Sequence, residues 1–200
     1  MSIIRPTKFA HVVYRTRRFE QMLRWYKTVF GAKVRYENPG LAFLTYDDEH
    51  HRFAFVDLLI LRPDETEIDR QGVIGVDHIA YTYASLNDLL ENYSELREEG
   101  ISPYWCIHHG VTVSMYYADP DGNQMEFQVD CFDSAEEANA FMYSTSFSSN
   151  PIGVEFDPEA WLDQIRGGAP TSEFLVRLTD QPVSPLRGAL ASISLDALAR

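Results

Sequence analysis

The sequence predicts an α+β fold in which two copies of a strand–helix–three-strand (βαβββ) module form a curved, eight-stranded mixed sheet around a metal site. Two observations support this prediction. A strand-like apolar run with a histidine at its third position occurs at Phe9–Tyr14 and again at Val76–Tyr81. Each run is followed by a helical segment that ends at a glycine. Internal similarity on this scale indicates two copies of one supersecondary unit.

The helices are predicted at 18–30 and 86–99. In each helix, large apolar side chains recur at i, i+3, i+4 and i+7, so that one stripe faces the core. These side chains are Phe19, Met22, Leu23, Tyr26 and Phe30 in the first helix, and Leu86, Leu89, Leu90, Tyr93 and Leu96 in the second. Ser85 resembles the capping residue of a capping box, because a carboxylate follows three residues later. Gly31 and Gly100 follow the helices where a left-handed residue is favoured.

Three strands are predicted after each helix. They lie at about 33–37, 41–46 and 51–61 in the first module, and at about 103–107, 112–118 and 124–130 in the second. The sequence Asp-Pro-Asp-Gly at 119–122 joins the last two strands, since proline presets a turn and glycine closes it. A single module cannot cover both faces of its four-stranded sheet, so the two modules are expected to pair, with their helices outside.

The chain divides into a paired-module domain, 1–132, and a C-terminal tail, 133–200. The modules span about 8–62 and 75–131. Ser, Gly and Pro become frequent in the tail, where two short helices are predicted at 135–143 and 158–165. We expect the tail to wrap around the sheet or a partner subunit.

Composition limits the classes of partner. Lys and Arg number 17 and Asp and Glu number 30, which gives a formal net charge of −13. Such an acidic chain repels phosphate backbones and anionic membrane surfaces, so neither nucleic acid nor a membrane is an expected partner. The first residues contain no signal-peptide-like apolar stretch, and two cysteines are too few for a disulfide framework. These features favour a cytoplasmic protein.

Three strand-borne side chains have the chemistry of metal ligands: His11, His78 and Glu126. Two histidines and one carboxylate can occupy one face of an octahedral metal ion and leave the other positions open, as in non-haem Fe(II) oxygenases. Fe(II) is the expected metal, and Mn(II) accepts the same ligands. Glu126 alternates with Gln124 and Gln128, so its strand face is polar. That alternation also fits a solvent-exposed face, so the inward orientation depends on the sheet curving over a cavity.

These residues resemble the vicinal-oxygen-chelate superfamily, which includes glyoxalases and type I extradiol dioxygenases. The resemblance covers about 8–132 and depends on both histidines and on the run from Asp119 to Phe127. Within the superfamily, the chain is most similar to single-domain extradiol dioxygenases of the biphenyl-2,3-diol 1,2-dioxygenase kind. The resemblance implies an enzyme that uses Fe(II) and O2 to break a carbon–carbon bond beside the hydroxyls of an aromatic diol.

The resemblance also implies catalytic residues. The run from Asp48 to Phe55 is similar to the strand that carries the second-sphere histidine of extradiol dioxygenases, which places that role on His51. His50 is the competing assignment, because a one-residue slip reverses the strand face. Tyr116 matches the family's active-site tyrosine. His108 and His109 are weaker candidates for a further catalytic histidine.

The expected substrate is a bulky aromatic diol in an apolar cleft. Phe53 and Phe55 are predicted to line this cleft, on the same strand face as His51. A homodimer or a larger homo-oligomer is expected, because the sheet edges and the tail offer surface for association.

Two alternative functions remain open at this stage. The same fold supports glyoxalase- or epimerase-type isomerases and thiol transferases that open epoxides, in which the metal acts as a Lewis acid. Those enzymes usually need a fourth protein ligand at the end of the first module, where the chain offers only Asp57. The other alternative is a metal-free protein that binds an aromatic drug in the cleft, although such a protein has no need of an intact ligand trio.

Overall fold

The computed structural model describes residues 9, 11–61, 76–188 and 191. They fall into two compact units, one within 1–70 and 119–122, the other within 71–118 and 123–200. The α+β class and the strand–helix–three-strand order are confirmed in each unit. The outermost residues of the predicted modules, 8, 62 and 75, lie outside the described residues, as does most of the chain after 188.

Unit 1 contains a four-stranded sheet with one long helix. The elements are β1 (Val12–Thr16), α1 (Phe19–Phe30), β2 (Lys33–Asn38), β3 (Leu41–Thr45) and β4 (Phe53–Asp57). The strand order is β1-β4-β3-β2, with β1 parallel to β4 and the other pairs antiparallel. The parallel pairing puts the start of β1, next to His11, beside the start of β4.

The core of unit 1 lies between α1 and the sheet. Tyr26 is fully buried, and its ring centroid lies 4.6 Å from that of Phe53 and 4.8 Å from that of Phe55. Gly31 ends the helix with φ 57°, as its position predicts. Aromatic contacts of this kind add to the apolar burial that fixes the helix on the sheet.

The predicted strand at 51–61 is too long. The strand runs only over Phe53–Asp57, and a short helix, α2 (Leu58–Leu61), follows it. The Asp57 carboxylate accepts a hydrogen bond of 2.8 Å from the Leu59 backbone N–H, which stabilises the helical turn. A continuous apolar run does not by itself distinguish strand from helix, so the sequence does not show where β4 ends and α2 begins.

Unit 2 repeats the pattern and extends it. Its elements are β5 (His78–Thr82), α3 (Leu86–Glu98), β6 (Trp105–His108), β7 (Thr112–Ala118), β8 (Gln124–Asp130) and β9 (Val154–Glu155). The strand order is β5-β8-β7-β6-β9. The eight expected strands are therefore hydrogen-bonded as two sheets, one per unit, and the tail adds a ninth strand. In each unit the first strand pairs with the fourth, so these hydrogen bonds are made within the unit.

Local signals in unit 2 act as expected. The Ser85 hydroxyl accepts a hydrogen bond from the Asp88 backbone N–H and caps α3. Gly100 follows the helix with φ 76°. The turn before β8, whose residues 119–122 are grouped with unit 1, closes through the Gly122 N–H, which donates to the Asp119 carbonyl over 2.9 Å. These features set the register that places the polar residues of β8.

The tail packs on unit 2. It contains α4 (Ala135–Met142), α5 (Thr145–Ser149), α6 (Pro158–Arg166) and a 3₁₀ helix (Thr171–Leu175). Both predicted tail helices are present, whereas α5 and β9 were not predicted. Arg166 of α6 makes a bidentate ion pair with Glu91 of α3. None of the helices in the described part of the chain has the length and apolar character needed to cross a membrane.

Candidate functional site

In unit 2, two of the predicted metal ligands face each other. The parallel pairing of β5 with β8 sets Ala80 opposite Glu126, so that His78 and Glu126 share one face of the sheet. His78 Nε2 lies 3.1 Å from Glu126 Oε2. The polar alternation of β8 left open whether Glu126 faces solvent. Glu126 is only 6% exposed, so its side chain points inward, whereas the flanking glutamines are only partly buried.

The ring of His78 is oriented by the preceding residue. Asp77 Oδ2 lies 2.7 Å from His78 Nδ1, so the other ring nitrogen points at Glu126. The hydrogen bond to Glu126, with Asp77 adding to it, raises the pKa of His78 to about 9. Burial acts to raise the pKa of Glu126, but the hydrogen bonds from His78 and Ser114 outweigh it and hold that pKa below its usual value.

Tyr116 and His109 complete this cluster. Tyr116 pairs with Glu126 across β7 and β8, and its ring contacts the edge of the His78 ring at 5.3 Å between centroids. His109 Nε2 lies 3.1 Å from the Tyr116 hydroxyl and 3.8 Å from Glu126 Oε1. Burial, with the nearby Glu126 charge, raises the pKa of Tyr116, so the phenol keeps its proton and acts as a donor.

The adjacent His108 and His109, at the end of β6 and just beyond it, have different surroundings. His108 is 2% exposed, and its Nδ1 accepts a hydrogen bond from the Gly110 N–H. Burial lowers the pKa of His108 to about 4 and keeps the ring neutral. His109 follows the end of the strand and turns toward Tyr116. The structure therefore groups His109 with the other predicted site residues and places His108 in the interior, near Trp161.

In unit 1, a second set of predicted residues lies together. The ring centroid of His51 is 4.4 Å from that of His11 and 4.5 Å from that of Phe43, on which it stacks. Burial, followed by the neighbouring charges of His11 and His50, lowers the pKa of His51. The imidazole is therefore neutral near pH 7 and able to accept a proton.

His50 lies at the exposed side of this group. Its side chain is 70% exposed, and its Nδ1 accepts a hydrogen bond of 2.9 Å from the His51 backbone N–H. The His50 ring stacks on that of His51 but lies 6.4 Å from that of His11. Of the two histidines, His51 is the one held between His11 and an aromatic ring.

A polar network fixes the turn that carries His51. Asp47 Oδ1 accepts from the Glu49 backbone N–H, and its carboxylate binds Arg52 Nε at 2.9 Å. Arg52 also donates to the Phe9 carbonyl, and its own carbonyl accepts from the Val12 N–H. The turn is thereby tied to the backbone on both sides of His11.

The assignment of Phe53 and Phe55 to a substrate pocket needs correction. Both side chains are at most 1% exposed and pack against Tyr26, so they belong to the core beneath α1. They do not share a face with His51, because β4 begins only at Phe53 and the preceding residues are irregular. Phe43, which pairs with Ala54, is the aromatic ring beside His51.

Neither unit alone provides a complete metal site among the described residues. Among residues 9, 11–61, 76–188 and 191, no three His, Cys, Asp or Glu side chains are grouped so as to hold a metal. The His78–Glu126 pair nevertheless has the features of a partial ligand set. A carboxylate on the second nitrogen of a ligating histidine is the usual outer-shell partner. His11, the third predicted ligand, belongs to unit 1.

Sequence reasoning missed Asp77 and Phe43. Asp77 directly precedes a predicted ligand, and a search for the group that orients each ligand histidine would have found it. Phe43 has no comparable local signal, because its position beside His51 depends on the register of β3 with β4 and on the path of the turn.

Comparison with known families identifies the superfamily to which the chain belongs. A sequence model described as the Glyoxalase/Bleomycin resistance protein/Dioxygenase superfamily matches residues 8–127, more than half of the chain. The chain belongs to this superfamily. A crystal structure of a glyoxalase/bleomycin resistance protein/dioxygenase from Nocardioides has a TM-score of 0.51 at 20% identity and covers 64% of this chain and 86% of its own. That likeness supports the superfamily fold alone.

Two relatives in the superfamily are more similar in sequence. Biphenyl-2,3-diol 1,2-dioxygenase 2 of Rhodococcus globerulus is 47% identical over 163 residues, which cover 82% of this chain and 84% of the relative. Biphenyl-2,3-diol 1,2-dioxygenase 3 of the same organism is 40% identical over 171 residues, with 85% and 88% covered. Relatives named as dioxygenases support an enzymatic role for this superfamily member.

Proposed function

We propose that this protein is an Fe(II)-dependent extradiol dioxygenase that opens the ring of a catechol such as biphenyl-2,3-diol, with O2 as co-substrate. The main support is the arrangement in unit 2, where Asp77 orients His78 toward Glu126 and Tyr116 stands beside the pair. The two Rhodococcus dioxygenases support the same reaction class.

We propose that His78 and Glu126 hold the metal and that His11 of unit 1 supplies the third ligand. Neutral imidazole and carboxylate are suitable ligands for Fe(II), and Mn(II) accepts the same set. A bound metal would take the place of the His78 proton that faces Glu126. The bound metal would acidify the diol hydroxyls and allow electron transfer to O2. The His78–Glu126 contact fits this role, because an imidazole nitrogen and a buried carboxylate oxygen lie only 3.1 Å apart, close enough to bind one metal ion.

His51 is the proposed acid–base residue. Its lowered pKa leaves a neutral imidazole that can take a proton from the diol and return it during ring opening. The stack on Phe43 and the anchored turn limit the motion of the ring. His50 remains the alternative, and its exposed ring makes it the weaker one.

Tyr116 is the proposed donor to a substrate oxygen. Because the pKa of its phenol is raised, the hydroxyl stays protonated and can stabilise developing negative charge. Without substrate this hydroxyl donates to His109 Nε2, and the donated hydrogen bond would pass to the substrate oxygen when the diol binds; His109 is the further histidine of the proposed site. We propose no catalytic step for His108, since its ring is buried away from this cluster.

The proposed substrate is an aromatic diol with a bulky apolar substituent. Phe43 is the aromatic side chain available beside His51, in place of Phe53 and Phe55. Offset ring contacts of this type contribute roughly 0.5–1.5 kcal/mol beyond the burial of apolar area. This contribution favours biphenyl-2,3-diol over catechol itself.

The isomerase alternative is disfavoured by Asp57. That carboxylate is the only candidate for a fourth ligand that the sequence offered at the end of the first module. Asp57 is buried on the helix side of β4, with Phe53 and Phe55, and it accepts from the Leu59 N–H. A carboxylate committed to a helical turn is a poor metal ligand.

The test is anaerobic reconstitution of the chelated protein with Fe(II), followed by O2 uptake with a panel of catechols. We expect one O2 consumed per biphenyl-2,3-diol and a coloured ring-opened product. Variants with alanine in place of each proposed ligand should lose both metal and turnover. If the Fe(II)-loaded protein consumes no O2 with any of the diols, the proposal is rejected. If it converts a thiol adduct instead, the isomerase alternative is favoured. The homo-oligomeric state and the cytoplasmic location stay predictions.

A further inference from the structure

Part of the C-terminal tail contacts the face of the unit 2 sheet that carries Tyr116. Strand β9 pairs with β6 through Val154 and His108. Ile152 packs against the buried cluster of Trp105, Ile107 and Tyr116. The tail therefore contacts the proposed donor to substrate, although it lies outside the paired modules.

One carbonyl of the tail fixes the His109 ring. His109 Nδ1 lies 2.5 Å from the Ile152 carbonyl oxygen. A carbonyl can only accept a hydrogen bond, so Nδ1 carries the proton. In the neutral ring Nε2 is then an acceptor, and it lies 3.1 Å from the Tyr116 hydroxyl. The position of Ile152 thus sets both the tautomer and the direction of His109.

Arg177 ties this carbonyl-bearing loop to the backbone of His109. One terminal nitrogen donates to the carbonyls of His109, at 2.9 Å, and Asn150, at 2.7 Å, and the other donates to that of Ser146, at 2.6 Å. Arg177 is 8% exposed and lies over the Phe141 ring. A nearly buried guanidinium needs several well-placed acceptors to offset its desolvation, and these three carbonyls supply them.

The loop itself has little freedom. The Asn150 side chain donates to the Gly153 carbonyl and accepts from the Gly153 N–H. Gly153 has φ 124°, and a Cβ there would lie 2.5 Å from the His108 carbonyl oxygen. Only glycine permits this approach, so the loop that carries Ile152 is held against β6 from both ends.

We propose that Arg177 is a positioning residue of the site, which holds the Asn150–Gly153 loop and the His109 backbone together so that the imidazole faces Tyr116. The tail is then part of the catalytic machinery. This inference rests on the proposed function only for its effect on turnover, because the orientation of His109 can be measured without substrate.

The first experiment compares Arg177→Met with Arg166→Met by NMR of the metal-free protein with ¹⁵N-labelled imidazoles. Arg166 also attaches the tail to unit 2, but through Glu91 and away from His109. In the wild type and in Arg166→Met, His109 should give one set of signals with the proton on Nδ1. In Arg177→Met those signals should broaden or report mixed tautomers. An unchanged His109 spectrum in folded Arg177→Met would overturn the proposal, whether or not the protein is a dioxygenase.

The second experiment is a double-mutant cycle on kcat for biphenyl-2,3-diol. Arg177→Met should lower kcat by roughly 10²-fold, the usual consequence of misplacing a reacting group by about 1 Å, with KM near that of the wild type. The same change in a His109→Ala background should cause no further loss, because the two residues act as one unit. Equal losses in both backgrounds would show a merely structural role and reject the proposal. If Arg177→Met does not fold, the same measurements on Arg177→Lys test the proposal. Lysine keeps the charge but lacks the planar guanidinium that binds several carbonyls at once.

Discussion

Removal of the Asp77 carboxylate should weaken metal binding without removing a metal ligand. Asp77 Oδ2 lies 2.7 Å from His78 Nδ1, and this contact directs His78 Nε2 toward Glu126. Loss of such an outer-shell partner typically costs 10–100-fold in metal affinity, which is about 1.4–2.7 kcal/mol. The side chain of Asp77 is 30% exposed. Solvent screens its charge, and we therefore expect a loss near the lower end, about tenfold.

Two variants separate orientation from charge. Asp77→Asn keeps an oxygen that accepts from His78 Nδ1, so it should lose less affinity than Asp77→Ala, which removes both the acceptor and the charge. Asp130→Asn, at the exposed end of β8, removes a charge elsewhere in the same sheet and should bind as the wild type does. Anaerobic calorimetry with Fe(II), or with Mn(II) as an air-stable substitute, gives each affinity.

The ranking of the variants decides the outcome. If Asp77→Ala binds metal as tightly as the wild type, Asp77 does not orient a ligand, and the assignment of His78 loses its main structural support. If Asp130→Asn weakens binding as much as Asp77→Asn, the effect is a general one of net charge.

Three further predictions concern catalysis, specificity and stability. His51→Gln should keep its metal and lose roughly 10²–10⁴-fold in turnover, whereas His50→Gln should not; the reverse result would move the acid–base role to His50. Phe43→Ala should raise KM for biphenyl-2,3-diol about two- to twelvefold relative to catechol, and an equal change for both substrates would remove Phe43 from the pocket. His108 has a folded-state pKa of about 4 because it is buried. Between about pH 6.5 and pH 4, this histidine is therefore protonated in the unfolded chain but not in the folded one. The His108 contribution to the free energy of unfolding should be constant above about pH 6.5 and should fall by roughly 3 kcal/mol as the pH approaches 4. Urea unfolding should show this slope reduced in His108→Gln, and identical slopes would contradict it.

The repeat and the helix signals were sufficient to predict the fold. Each helix carries its apolar stripe, and Ser85 and Gly31 mark boundaries that the structure reproduces. The continuous apolar run after His51 was misleading, because the same residue types suit a buried strand and a short helix. Strand β9 was not predictable from composition, since two residues of pairing leave no periodic signal.

The candidate site could be predicted only in part. The equivalent histidines and the polar alternation around Glu126 indicate which residues matter, because those patterns are local. The partners of these residues depend on long-range register. The strand faces of Phe53 and Phe55 were misassigned because one irregular turn precedes β4, and Arg177 reaches His109 from a distant part of the chain. Such contacts leave no trace in spacing.

The central claim is ring cleavage with insertion of both atoms of O2, and labelling with ¹⁸O2 tests it most directly. The Fe(II)-loaded protein is incubated with biphenyl-2,3-diol under ¹⁸O2, and the ring-opened product is analysed promptly by mass spectrometry, with a parallel reaction in ¹⁸O-water to measure exchange. Extradiol cleavage predicts a product that carries two labelled oxygen atoms from ¹⁸O2 before exchange. A quinone without labelled oxygen, or an unlabelled isomer of the substrate, would contradict it.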